Sequence, residues 1–499
     1  MKNEMKPNLL VRKKEFGDFQ TPLNLAELMV ATIGSIGIKP DIIIEPTCGI
    51  GNILIAAHEH FHPQKTLGIE INSAYCNQLA AKTVYDKNIS ILNANIFTEI
   101  KNIKGKINDN DTCLFVGNPP WVTNAELGSL GSINIPKKEN VKKLRGIEAI
   151  TGKSNFDITE YIIIKLLEEF NSQKSVFAFL CKTTVARNIL KYCWANNIPY
   201  KEASVFPVDA KRYFSASVDA CFLVINSMEK KISNGCKVFD SIESKKYENT
   251  IGIYKNTMII NMDDFMAHNY FGKSEYIWRN GIKHDCTKVM EFDIDDNIIT
   301  NGYGEIVSIE DDLLYPLLKS SDVANGKIEV RKKILVTQRQ IGEDTGYIKL
   351  KYPKTWQYLN DHAGDLKKRK SGIYKGKSDF SIFSIGAYSF YPFKIAISGL
   401  YKKINFNLLK PIDGKPVMVD DTCNFISFMQ ESDACNLLSC LTDIKTKIFL
   451  ESMIFWDSKR PITTEILNSL DIRKVADGNI HDCLTGTLKN NSVQQLELF

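Results

Sequence analysis

Asn118-Pro119-Pro120-Trp121 puts a carboxamide, two prolines and an indole in four consecutive residues. Proline carries no backbone N–H, so a Pro-Pro pair stiffens the chain and leaves carbonyls free to accept. The set offers an amide side chain, acceptor carbonyls and an aromatic plate. A planar base bearing an exocyclic amine fits all three, and a stiff turn over a core Trp is the plainer alternative. Upstream, Glu45-Pro46-Thr47-Cys48-Gly49-Ile50-Gly51 reads as a strand end, a glycine turn and a helix start. Glycines there let a ligand approach the backbone, with a helix N-terminus aimed at it. Glu70 follows Gly51 by 19 residues, where a Rossmann-like site places the acid that binds ribose hydroxyls. The third glycine of a dinucleotide fingerprint is missing, which argues against NAD. An ordinary tight turn with a surface Glu is the competing reading, and it weakens when the Asn-Pro-Pro-Trp set follows in order.

These residues need elements to hold them. Leu25, Leu28, Met29, Ile33 and Ile36 recur at helical spacing, and Asp41–Glu45 is a short buried-strand pattern. A helix pattern opens at Asn52, Thr66–Glu70 reads as the next strand, and Ser73 is a plausible N-cap. Further strands are predicted at 89–92, 112–116, 175–180 and 219–226, with a strong helical stripe over 157–170. Repeated βα units imply an α/β fold with a mostly parallel sheet covered on both faces. Asn118 then falls at a strand's carboxyl end, where open α/β sheets build their sites. Between Trp121 and Asn155 the chain is rich in Gly, Ser and Lys without a clear period, and a mobile functional loop is expected over 122–155. Past residue 230 the rhythm gives way to shorter aromatic segments. A domain boundary is placed near 230–260 and drawn at 240.

Composition sets the outer limits. The chain has 499 residues, 44% hydrophobic and 24% charged, with net charge +5. No apolar run approaches the ~18–20 residues of a membrane span, and the charged start Met1-Lys-Asn-Glu precedes no apolar h-region, so no signal peptide is expected. The twelve cysteines are scattered, without a C-x-x-C pair, and read as reduced, mostly buried thiols. His58-Glu-His-Phe-His62 is read as a solvated helix end, and no metal site is expected. A cytoplasmic globular protein remains.

Taken together, the motifs resemble a family: the DNA adenine-N6 methyltransferases of type II restriction–modification systems, in the γ-class order. Phe16-Gly-Asp-Phe-Gln-Thr21-Pro22 resembles the segment that encloses the methionine end of S-adenosylmethionine, and Glu45–Gly51 the cofactor glycine motif. Glu70 with Ile71 resembles the ribose-binding acid and its neighbour, and Asn118–Trp121 the catalytic N-P-P-aromatic motif. Asn155-Phe-Asp157 resembles the start of the helix that follows, and Lys211–Ser215 with Val218–Ala220 the segment giving a second aromatic to the base pocket. The resemblance covers about residues 16–226. It departs where the family carries an Asp after the third strand and this chain reads Asn93-Ala-Asn95-Ile96-Phe97. Asn95 can still accept from the cofactor's adenine amine through its carbonyl oxygen.

The resemblance implies a Rossmann-like class I S-adenosylmethionine-dependent catalytic domain over 1–240, an α+β target recognition domain over 241–490 and a tail at 491–499. It implies methyl transfer to N6 of an adenine flipped out of double-stranded DNA. Asn118 Oδ1 and the Pro119 carbonyl would accept the two N6 hydrogens, and Trp121 would stack on the base with Phe214, or its rival Tyr213. Lys367, Lys368, Arg369, Lys370, Lys375 and Lys377 form the densest positive cluster and are read as phosphate contacts. Gln338, Arg339 and Gln340 have side chains suited to base edges. A cognate restriction endonuclease is an expected partner, and Gln495–Phe499 resembles a sliding-clamp peptide, with a frayed tail as its alternative. Three other readings stay open: a methyltransferase acting on a protein glutamine or RNA, a fusion with an endonuclease, and a DNA-binding specificity subunit on a lapsed methyltransferase fold.

Overall fold

The computed structural model describes residues 19–122, 157–295 and 298–476. The chain divides into two compact units, Met1–Met262 and Asp263–Phe499. The division falls beyond residue 240 because three strands past that texture change, Gly235–Phe239, Tyr247–Tyr254 and Thr257–Ile259, extend the first unit's sheet.

That sheet starts with β1 (Ile42–Glu45), β2 (Lys65–Glu70), β3 (Ile89–Asn93), β4 (Thr112–Gly117) and β5 (Lys174–Lys182). These five run parallel in the order β3-β2-β1-β4-β5. β6 (Glu202–Val208) and β7 (Ala220–Ser227) follow, with β7 lying between β5 and β6 and antiparallel to both. The three later strands, β8 to β10, continue outward from β6. This is the Rossmann-like fold of class I S-adenosylmethionine-dependent methyltransferases, as expected, with β7 antiparallel to its neighbours.

Residues buried on both faces explain the apolar strands. Leu114 and Val116 of β4 join a core with helices α1 (Leu23–Gly34) and α2 (Asn52–Phe61). Phe115 points the other way, against Phe170 (ring centroids 4.6 Å) and Phe177 (5.1 Å, stacked). Helices α3 (Ser73–Thr83), α4 (Ile96–Lys104), α5 (Ile158–Glu169), α6 (Thr183–Ala195) and α7 (Ala210–Phe214) complete the layers. The N-cap of α3 is Asn72, whose side chain accepts from Ala74 N–H, and not Ser73, which is the helix's first residue. His58 also departs from expectation. It sits in the last turn of α2 but is buried, bonded at 2.8 Å to both Thr66 Oγ1 and Asp86 Oδ2, while His60 and His62 are exposed.

The strand order reverses between β1 and β4, and the crevice at their carboxyl ends is the ligand position of open α/β sheets. Both chemistry-bearing turns, Pro46–Gly51 after β1 and Asn118–Trp121 after β4, emerge there.

The second unit is α+β. One sheet pairs Arg279–Asn280, Cys423–Phe428, Phe393–Ser398 and Asn407–Leu409, all antiparallel. The other pairs Ile298–Asn301, Glu291–Asp295, Lys332–Leu335, Leu314–Leu318 and Met418–Val419, parallel only at its last step. No helix among the described residues is long and apolar enough to cross a membrane.

Candidate active site

The glycine turn is built by backbone conformation. Gly49 and Gly51 have φ of +51° and +83°, a region L side chains rarely adopt. A Cβ on Gly49 would meet the Gln20 carboxamide at 2.4 Å, and one on Gly51 would meet Leu79 at 2.2 Å. Gly51 N–H closes the turn on Cys48 O at 2.8 Å and starts α2.

Glu70 ties this turn to the end of β2. Its Oε2 accepts from Gly49 N–H at 2.8 Å, and its Oε1 from Asn72 N–H at 2.7 Å. A carboxylate has about four acceptor positions, and these two bonds use one on each oxygen. Glu45 lies deeper. Burial pushes its carboxyl well above the usual range, and the negative charge of Glu70 adds to the shift. Its Oε2 and the Thr47 hydroxyl are buried without a partner among the described residues.

A third strand of chain crosses both turns. Gln20 Oε1 accepts from Ile50 N–H at 3.0 Å, and Thr21 O accepts from Asn52 Nδ2 at 2.8 Å. On its other side this segment takes the Asn118 amide: Nδ2 donates to Phe19 O at 2.9 Å and to Thr21 Oγ1 at 3.2 Å. Phe19 O can only accept, so the amide nitrogen must face it. Asn118 Oδ1 is thereby turned away, and it is buried with no partner among the described residues.

These pieces line one cleft, partly open to solvent. Thr21, Glu45, Pro46, Thr47, Gly49, Glu70, Ile71, Asn95, Ile96, Phe97, Asn118 and Pro120 all line it. Pro22, Gly51 and Pro119 are not among its lining residues: Pro22 N-caps α1 and Gly51 N-caps α2. Asn95 has a second task. It N-caps α4, and its Oδ1 accepts from Phe97 N–H at 3.0 Å. The oxygen expected to meet an adenine amine therefore already accepts one bond and has one lone pair left. Sequence reasoning missed Gln20, Asn72, Tyr75, Val122, Ile158 and Ile162, which also line the cleft or fix its turns. Only Asn72, an Asx after a strand-ending acid, carried a local signal.

Trp121 is 6% exposed and lies in the core that contains α1 and α2. Its ring meets Phe214 edge-on at 5.3 Å and Phe19 at 5.6 Å, and Phe19 meets Phe214 at 5.9 Å. Trp121 Nε1 is buried without a partner among the described residues. Tyr213 is 6.5 Å from Phe214, beneath the Arg212 guanidinium at 5.1 Å. Of the two rivals, Phe214 is the one brought to Trp121. Asp157 N-caps α5 through Thr159 N–H at 3.0 Å and pairs with Lys182 at 2.8 Å. Its carboxyl is raised by burial, with the Lys182 contact opposing the shift. Phe16–Asp18, Asn155, Phe156, the expected loop past Val122 and the Gln495–Phe499 peptide lie outside the described residues.

In the second unit, Lys367, Lys368, Lys370, Lys375 and Lys377 are exposed, with Lys368 paired to Asp365 at 2.9 Å. Arg369 is different. It donates to Leu366 O at 2.8 Å and Ser381 O at 2.7 Å and lies 3.8 Å over the Tyr374 ring. It braces its own loop, which takes it out of the expected phosphate-contact cluster. Gln338 is likewise internal: it is fully buried, its Oε1 accepts from Ile382 N–H at 2.9 Å, and its Nε2 donates to Glu343 O. Arg339 and Gln340 are exposed, with Arg339 5.1 Å from the Phe390 ring.

A curated relative decides the family. The chain is 43% identical over 476 residues, 94% of its length and 98% of the relative's, to the type II methyltransferase M.NspV of Nostoc sp. (strain ATCC 29411 / PCC 7524). The chain belongs to the type II methyltransferases. No family model matches it. Among solved structures, the type IIL restriction-modification enzyme MmeI in complex with DNA aligns with 93% of this chain and 67% of its own, at 13% identity and TM-score 0.49. The TrmK of M. capricolum, in complex with S-adenosyl-homocysteine, aligns with 40% of this chain and 69% of its own, at 11% identity and TM-score 0.24.

A type II methyltransferase is a DNA methyltransferase of a restriction–modification system, and S-adenosylmethionine is its cofactor. The residues present fit that group. Gly49 brings the glycine turn to the cleft wall, and the Glu45 and Thr47 oxygens that lack a partner among the described residues are acceptors for a cationic amine. Glu70 suits ribose hydroxyls, and Ile71, Ile96 and Phe97 supply apolar surface for an adenine ring.

Proposed function

We propose that this methyltransferase acts on N6 of an adenine flipped out of double-stranded DNA. The observation that carries the reading is the buried, unpartnered Asn118 Oδ1, aimed by two bonds on its own Nδ2. An unpartnered buried acceptor costs about 1–3 kcal/mol, and an exocyclic amine supplies the missing donor. Adenine N6 is a poor nucleophile because its lone pair is delocalised into the ring. Two acceptors, Asn118 Oδ1 and Pro119 O, would take its two hydrogens, raise its electron density and orient it, which is positioning and preorganised electrostatics. S-adenosylmethionine supplies the electrophilic methyl group when bound. Glu45, Thr47, Gly49, Glu70 and the Ile71, Asn95, Ile96 and Phe97 wall would hold it, with Thr21 and Asn118 at the reacting end.

N6 is unreachable inside a duplex, so the base must be extruded. The faces of Trp121 and Phe214 are the surfaces for stacking it, each such contact being worth roughly 1–3 kcal/mol. Phe19 and Phe214 now cover Trp121, so entry of a base requires these rings to part. The second unit, with Lys367, Lys368, Lys370, Lys375, Lys377 and Arg339 exposed, would contact phosphates and select the target. The enzyme would act in the cytoplasm beside a restriction endonuclease of the same specificity.

Purified protein incubated with methyl-labelled S-adenosylmethionine and mixed-sequence duplex DNA tests this. Digestion to nucleosides should put the label in N6-methyladenine and none in Asn118→Ala reactions. Label in N4-methylcytosine, or in added RNA or protein but not DNA, refutes the adenine reading.

A further inference from the structure

A Pro-Pro pair locks two φ angles and holds Pro119, which precedes a proline, in the extended range of ψ. Within that range, and more freely at Pro120, ψ still sets where each carbonyl points. With no N–H at either position, the turn cannot tie itself through its own donors there. Something outside it must fix the carbonyl directions. Thr159 does so: its Oγ1 donates to Pro120 O at 2.9 Å and lies 3.3 Å from Pro119 O, some forty residues upstream.

Thr159 is itself immobilised. It is fully buried in the first turn of α5, and a β-branched side chain is stiff at χ1. Its N–H donates to Asp157 Oδ1 at 3.0 Å, and Asp157 Oδ2 is held by Lys182 Nζ at 2.8 Å, at the end of β5. The preceding contact, Ile158 N–H to Val122 O at 2.9 Å, fastens the same helix end to the residue after Trp121. A chain of bonds thus runs from β5 through Lys182, Asp157 and Thr159 to the carbonyls beside Asn118.

We infer that Thr159 is a positioning residue for methyl transfer, its hydroxyl setting the direction of the Pro119 and Pro120 carbonyls so that Pro119 O meets the target amine. This rests on the amine-acceptor role proposed for Pro119. One hydroxyl proton serves two carbonyls at unequal distance. It stays on Pro120 O, the shorter contact, when the amine hydrogen arrives at Pro119 O, and a carbonyl's two lone pairs permit the overlap.

The test is single-turnover methyl transfer by the full chain on duplex DNA, with S-adenosylmethionine affinity measured in parallel. Thr159→Val keeps the shape and removes the donor. It should lower the transfer rate by roughly ten- to a hundredfold, the scale of a misplaced reacting group, with cofactor affinity near wild type. Thr159→Ser should recover most of the rate. A valine variant as fast as wild type, or a serine variant as slow as valine, overturns the inference. If the valine variant does not fold, Thr159→Ala is compared with Thr159→Ser: fast serine and slow alanine sustain the inference, and equal rates overturn it. A wild type that methylates a different amine leaves this comparison intact while refuting the adenine reading. A wild type with no transfer to any substrate sinks both.

Discussion

The orientation of the Asn118 amide can be tested by exchanging it for two residues that fail in different ways. Asn118→Ala deletes the bonds to Phe19 O and Thr21 Oγ1. At about 0.5–1.5 kcal/mol each these bonds are worth about 1–3 kcal/mol, and removing the unpartnered Oδ1 at the same time offsets part of that loss. Asn118→Ala thereby also deletes the acceptor. Preorganised polar groups of this kind are worth roughly 10²–10³ in kcat when removed singly, so the transfer rate should fall at least that far. Asn118→Asp keeps an acceptor toward the cleft but sets a carboxylate oxygen 2.9 Å from Phe19 O, two acceptors face to face. It should therefore be less stable than the alanine variant at neutral pH, although aspartate is nearly isosteric with asparagine. The new carboxyl would have its pKa raised by that contact, so the folded state binds its proton more tightly than the unfolded chain. The penalty should shrink as pH falls through the raised folded value and vanish below the unfolded value of about 3.9. Urea unfolding of both variants between pH 4 and 8, beside single-turnover assays, reads this out. An aspartate variant as stable as wild type at neutral pH would mean that the Nδ2–Phe19 O bond does not hold the amide, and the acceptor argument would collapse.

Other residues carry independent expectations. Glu70→Gln retains one acceptor but places an N–H₂ against Gly49 or Asn72 N–H; it should cost about 1.5–3 kcal/mol per charged bond lost and weaken S-adenosylmethionine binding in calorimetry, and unchanged affinity would remove Glu70 from the cofactor site. Gly51→Ala meets both an unfavourable φ of +83° and the buried Leu79 at 2.2 Å; a melting temperature equal to wild type would show that the turn is not built as described. Lys394 is buried, and burial lowers its pKa from 10.5 to about 7, so the unfolded chain binds its proton more readily between those values. Lys394→Met should stabilise the protein most at and below pH 7, by up to about 4–5 kcal/mol at 1.36 kcal/mol per pKa unit, with the gain shrinking as pH rises toward 10.5. A gain that grows with pH contradicts the burial account.

Much of the first unit was legible because its signals are local. A strand running into Glu45–Gly51, an acid closing the next strand and Asn118–Trp121 after the fourth each sit within a few residues. Parallel order then brings them to one crevice. The antiparallel β7 was not legible, since Ala220–Ser227 is as apolar as its parallel neighbours and nothing local encodes direction. Residues fixed by distant partners escaped as well. Thr159 meets Pro120 only through the fold. Arg369 and Gln338 look like surface donors in the sequence and are spent on carbonyls and backbone N–H groups in the structure. Trp121 shows the limit of reading residue types: the motif offered an aromatic plate, and the fold buries it beneath Phe19 and Phe214.

The most direct test of the central claim is expression of the chain in a host lacking adenine methylation, followed by sequencing that detects N6-methyladenine in the genome. The account predicts one recurrent motif modified at most of its sites, and no modification with Asn118→Ala. Soluble wild-type protein that binds S-adenosylmethionine but leaves every adenine unmodified would contradict it.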